Sequence, residues 1–153
     1  MTELSSVDEI LDFAIGEEQA ASDFYTNLAS KMEKPAMKQI FEGFAKEEQG
    51  HKAKLEGVKS GKKLISSAEK VADLKIGDYL VEVEEENPEK LDYQQALIIA
   101  MKKEKAAFRL YSDLASKTAD AGVKDILLGL AQEEAKHKLR FEVEYDDFVL
   151  AEN

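Results

Sequence analysis

The chain has 153 residues, of which 44% are hydrophobic and 35% charged, with a formal net charge of −11. That is the length of one domain around one core, and the negative surplus argues against nucleic acid and anionic membrane surfaces as partners. The sequence contains no cysteine, which excludes disulfides, thiolate-bound zinc, iron–sulfur clusters and rubredoxin-type iron.

Ala, Leu, Glu and Lys dominate, and only two prolines and eight glycines interrupt them, so an all-α fold is expected. The opening Met1 to Ser6 has neither the basic nor the apolar region of a signal peptide, and no apolar run approaches the ~20 residues of a membrane span. A cytoplasmic protein without a membrane partner is the expectation.

The first helix is predicted over about 6–33, with Val7, Ile10, Leu11, Ala14, Ala21, Tyr25, Leu28 and Met32 on one face and Ser6 with Glu9 as a capping box. A second, 35–60, begins at Pro35, which a first helical turn tolerates, and carries Met37, Ile40, Phe41, Phe44, Leu55 and Val58. Residues 61–90 are too long for an ordinary loop and are read as a lengthwise crossover with a short helix around 78–85. Its acidic run, Glu82 to Glu86, is read as a solvated face. A third helix, 91–118, follows Asn87-Pro88 and a cap at Asp92, with Leu97, Ala100, Met101, Ala107, Phe108, Tyr111 and Leu114 inward. A fourth, 121–149, presents Val123, Ile126, Leu127, Leu130, Phe141, Tyr145 and Phe148. The whole of 1–153 then reads as one antiparallel four-helix bundle made of two hairpins.

The hairpins are copies. Shifting the sequence by 86 positions aligns them without a gap, and 17 of the 39 pairs from Glu18 to Glu56 are identical, against roughly one in ten from shared helical composition. Glu18 falls on Glu104, Tyr25 on Tyr111, Glu47-Glu48 on Glu133-Glu134, and His51 on His137. The repeat predicts a bundle with a pseudo-twofold axis.

The apolar faces have gaps, filled by Glu18, Glu48, His51, Glu104, Glu134 and His137. The only two histidines each follow an inward glutamate by three residues, one turn apart on the same face. Glu18 and Glu48, like Glu104 and Glu134, lie roughly 15 residues or ~22 Å from their turns, so all six share one level. Glu47 and Glu133 fall off these faces and are expected to be solvated. Four buried carboxylates at one level would repel one another unless cations neutralise them. Two divalent cations do so, with imidazoles completing the coordination. One Glu from each of two helices with Glu-x-x-His from each of the others is the described ligand pattern of ferritin-like di-iron and di-manganese proteins.

Gly16-Glu17-Glu18-Gln19-Ala20-Ala21 with Tyr25, Phe44-Ala45-Lys46-Glu47-Glu48-Gln49-Gly50-His51 and Glu133-Glu134-Ala135-Lys136-His137 together resemble the di-iron domain of the rubrerythrins, in the ferritin-like superfamily. The resemblance spans about residues 7–148. It implies two iron ions, with manganese or zinc as substitutes, held terminally by Glu18 and Glu104, bridged by Glu48 and Glu134, and each bound by one of His51 and His137. Tyr25 and Tyr111 would lie against the metal layer. It further implies reduction of hydrogen peroxide or dioxygen by a homodimer. Ala107 stands where rubrerythrins carry a further glutamate. Their cysteine-rich rubredoxin domain has no counterpart here, so electrons would come from a separate donor protein. An iron-storage component with ferroxidase chemistry, or a non-redox module stabilised by bound metal, are the rival readings.

Overall fold

The computed structural model describes residues 7–61 and 93–152, all but the two connecting turns helical. Helix α1 runs Val7–Lys31, α2 Pro35–Gly61, α3 Tyr93–Lys117 and α4 Ala121–Glu152. The expected crossover with its short helix, the acidic run within it, and the caps at Ser6 and Asp92 lie outside the described residues. Among those described there is no strand, and no helix is long and apolar enough to cross a membrane.

Each turn is built locally. Pro35 opens α2, where its missing N–H would have no intrahelical partner in any case. Asp120 caps α4: its Oδ1 accepts from the Val123 amide at 2.9 Å, and its carbonyl accepts from the Lys124 amide at 2.9 Å. Within the first hairpin the helices are tied by Ser22 Oγ donating to the Ala45 carbonyl at 2.9 Å and by Lys59 reaching Asp12 at 2.6 Å.

Close helix contact runs along α1 with α2 and along α3 with α4, whereas the hairpins meet through α1 with α3 and α2 with α4. Two separate apolar clusters fill the bundle. One gathers Ile10, Leu11 and Ala14, Leu55 and Val58, Leu110 to Ala115 in part, and Val123, Leu127 and Leu130. The other gathers Ala21, Tyr25 and Leu28, Phe41 and Ala45, Ala96, Leu97 and Ala100, and Phe141. The first takes the start of α1 and the end of α3, the second the end of α1 and the start of α3. The 86-residue shift therefore exchanges the two clusters, as a twofold axis across the bundle requires.

Two residues assigned inward by periodicity are turned outward, Phe108 and Ile126, each 39% exposed. Leu110 and the small Ala96, Ala115 and Ala131 are buried instead. Periodicity marks a sector of the helix; which edge of that sector is sealed depends on the neighbouring hairpin.

Candidate metal centre

Between the two apolar clusters lies a polar layer. Glu18, Glu48, His51, Glu104, Glu134 and His137 are all buried, none more than 5% exposed. Sequence periodicity placed these six at one level, and the structure brings all of them together there.

The histidines are oriented across the hairpin boundary. His51 Nε2 is bonded to Glu133 Oε2, and His137 Nε2 to Glu47 Oε2. Ionised carboxylates only accept, so each Nε2 carries the proton. In the neutral ring Nδ1 is then a bare lone pair facing the layer. His51 Nδ1 is 2.6 Å from Glu134 Oε1, 3.5 Å from Glu18 Oε2 and 3.6 Å from Glu48 Oε1. His137 Nδ1 is 3.1 Å from Glu48 Oε1 and 3.6 Å from Glu104 Oε1. Lone pairs at such distances from carboxylate oxygens repel unless a proton or a cation lies between them.

Glu47 and Glu133 thus correct the expectation that they are merely solvated. Their side chains are 57% and 44% exposed, yet each reaches the other hairpin to hold a histidine. The sequence did carry a signal, because the pair repeats in the 86-residue shift. Spacing alone, however, pairs Glu47 with His51 on its own helix rather than with His137.

The tyrosines complete the set. Tyr25 Oη donates to Glu104 Oε1, and Tyr111 Oη to Glu18 Oε1, again across the boundary and again exchanged by the pseudo-twofold. Both rings are fully buried, and burial followed by the adjacent carboxylate, Glu104 or Glu18, pushes each phenol well above its ordinary range. They remain protonated donors.

The electrostatics are those of crowded anions. Burial, reinforced by Glu104 and Glu18, pushes the Glu48 carboxyl up to about 10 against a lowering contact with His137. Burial and Glu104 push Glu134 well above the carboxylate range. Burial also acts to raise Glu104, but its contacts with Glu134, His137 and Tyr25 outweigh that and hold it low. Burial would lower both histidines; Glu18 and Glu133 raise His51 instead, and Glu104 with Glu48 lift His137 to about 11. Protons are therefore retained at the centre of the layer, where anions cannot all ionise together.

Each of the six residues also leaves one buried polar atom without a hydrogen bond: Glu18 Oε2, Glu48 Oε1, His51 Nδ1, Glu104 Oε2, Glu134 Oε1 and His137 Nδ1. Such orphans are rare in folded proteins and call for a partner. They fall into two overlapping sets able to hold a metal ion, Glu18, Glu48, His51 and Glu134, and Glu48, Glu104, Glu134 and His137, with ligand atoms within 4.8 Å of one another in each. Glu48 and Glu134 belong to both. Oxygen-rich sets with one imidazole suit iron, manganese or zinc.

A cavity of about 30 Å³, lined by all four carboxylates and by Ala21, Lys103, Ala107 and Tyr111, opens from the layer between α1 and α3. It has room for a water-sized molecule. Neither histidine lines it. Phe44 packs 4.5 Å from His137, ring centre to ring centre, with Phe141 4.9 Å beyond. The positions equivalent to Phe44 and Phe141 are Leu130 and Leu55.

A four-helix bundle with paired Glu and Glu-x-x-His ligand sets at one buried level defines the ferritin-like carboxylate proteins. A sequence model of the rubrerythrin family matches residues 9–145, and the chain belongs to that family. Among solved structures, a hypothetical protein from Pyrococcus furiosus is similar over 92% of this chain and 89% of its own, with 26% sequence identity and a TM-score of 0.68. No curated protein matches significantly.

Proposed function

We propose that the protein is a di-iron oxidoreductase that reduces hydrogen peroxide, or dioxygen, with electrons from an external donor protein. The observation that carries this reading is the set of six orphaned buried atoms dividing into two ligand sets that share Glu48 and Glu134. Glu48 and Glu134, common to both sets, with Glu18 and His51 in one and Glu104 and His137 in the other, would hold two iron ions, the four carboxylates offsetting two divalent charges. Two iron ions held there supply the two electrons that, with two protons, convert one peroxide to two waters.

The chain's own groups do the rest. Tyr111 and Tyr25 fix one oxygen each of Glu18 and Glu104 by hydrogen bonding, leaving the second oxygen of each for coordination. Glu133 and Glu47 hold the ring protons of His51 and His137 on Nε2 and so present Nδ1 to the layer. The opening beside Ala21 and Ala107 admits a small reactant from the carboxylate side, while the apolar clusters above and below keep bulk water from the layer.

The test is anaerobic reconstitution with ferrous ion, followed by visible absorption before and after one equivalent of peroxide. Two irons per chain and oxidation faster than that of free ferrous ion are expected. Oxidation no faster than in buffer removes the redox reading, and tight zinc binding without redox absorption supports the metal-stabilised module in its place.

A further inference from the structure

The cavity beside the metal layer lies on the pseudo-twofold axis. Four pairs of the residues lining it are exchanged by the 86-residue shift: Glu18 with Glu104, Glu48 with Glu134, Ala21 with Ala107, and Glu17 with Lys103. Three of these pairs are identical, and the two alanines leave the gap between α1 and α3. The fourth is opposite in charge. Glu17 and Lys103 are only partly buried, whereas Glu18 and Glu104 behind them are sealed, so the unlike pair stands at the mouth.

Lys103 is fixed there. Its Nζ lies 5.6 Å from the centre of the Phe24 ring, and a ring face holds an ammonium in place without cancelling its charge. The anchor is one-sided, because the position matching Phe24 is Leu110, itself part of the cavity wall. Burial raises the Glu17 carboxyl and Lys103 acts in the opposite sense, so the two charges feel each other at the gap.

A layer of four carboxylates draws in any cation. A mouth serving a steady flow of ferrous ion gains from negative charge on both sides, which is what a retained repeat of Glu17 gives. Here one side is a fixed cation. Resident metal has to pass the mouth once, a substrate at every turnover. We propose that Lys103 selects what enters the layer: it slows cations and leaves small uncharged molecules unhindered, so that the reactant is peroxide or dioxygen and not ferrous ion. Both oxidants are uncharged near neutral pH, and a cavity of about 30 Å³ admits molecules of that size. The choice of reactant rests on the redox reading given above, while the barrier to cations stands on the mouth alone.

Stopped-flow uptake of zinc ion by the metal-free chain, followed with a chromophoric chelator, tests the barrier, with final metal content and helicity measured beside it. Lys103→Glu should speed uptake about tenfold at low salt, the gain shrinking as ionic strength rises. Lys103→Met, which keeps an apolar stem on Phe24 and drops the charge, should speed it less. Glu17→Lys should slow uptake, and combining it with Lys103→Glu should return the rate toward wild type, because the axis relates the two positions. Lys102→Glu and Lys105→Glu, exposed on the same helix, change the net charge equally and should shift uptake by less than about twofold. Selection is read by setting the peroxide oxidation rate of the ferrous-loaded chain against the uptake rate, a ratio that Lys103→Glu should move about tenfold toward the cation. Uptake indifferent to the charge at position 103, or moved as much by Lys102→Glu, overturns the barrier, and equal changes in both rates overturn the selection. A loaded chain that peroxide does not oxidise removes the redox reading and with it the choice of reactant, while the uptake rates still decide the barrier.

Discussion

Raising the pH of metal-free protein from 6 to 8 should destabilise it. Glu48 is raised from 4.5 to about 10 and His137 from 6.5 to about 11, with Glu134 and His51 raised as well. Each such group holds its proton in the fold across a range where the unfolded chain has released it. Stability from these groups is complete below the unfolded values and is lost as pH climbs toward the folded ones. Glu104 is lowered and acts only on the acid side, below this window. One retained proton is worth about 1.4 kcal/mol per pH unit, and because Glu48 and His137 act on each other their protons are not independent, so together they account for on the order of 2–3 kcal/mol between pH 6 and 8. Water entry and side-chain relaxation reduce such figures, and about 2 kcal/mol is a realistic net loss. In a domain of this size that lowers the melting temperature by about 4–8 °C. Bound metal displaces those protons, so the loaded protein should melt higher and with a flatter pH profile. Circular dichroism melts of chelated and reconstituted samples at both pH values measure this. A metal-free melting temperature that stays level or rises from pH 6 to 8 would refute the buried-charge account.

Glu48→Ala or Glu134→Ala removes a member common to both ligand sets, and each should abolish binding of both ions by metal analysis, whereas Glu18→Ala should spare the set built on Glu104 and His137. Tyr25→Phe leaves a Glu104 oxygen without its donor and should cost about 1–3 kcal/mol in chemical denaturation, with Tyr111→Phe matching it through the pseudo-twofold. Glu47→Ala frees His137 Nε2 and should lower metal affinity about 10- to 100-fold by competition titration, while Glu47→Gln, whose carbonyl still accepts, should lose less.

Helix order, the turn at Pro35 and the six inward residues were all legible because each depends on spacing within one helix or on reflection about one turn. The 86-residue repeat added the axis. What escaped reading depends on the meeting of the hairpins. Glu47 and Glu133 fall on the outer part of their helices by angle, yet a glutamate side chain is long enough to bend back across the boundary. Phe108 sits at the edge of the predicted inner sector, and Leu110 rather than Phe108 is sealed because of where the first hairpin lies. Asp120 stood within a predicted turn, and its role as a cap became visible only with the Val123 amide beside it.

The pairing of Tyr25 with Glu104, Tyr111 with Glu18, His51 with Glu133 and His137 with Glu47 means that neither hairpin can satisfy its own donors. A hairpin folded against an identical twin would satisfy all of them, so the centre requires two hairpins but not two different ones. Phe44 packs against His137, and the matching place in the other half holds Leu130, so the surroundings of the two ligand sets are no longer copies of each other.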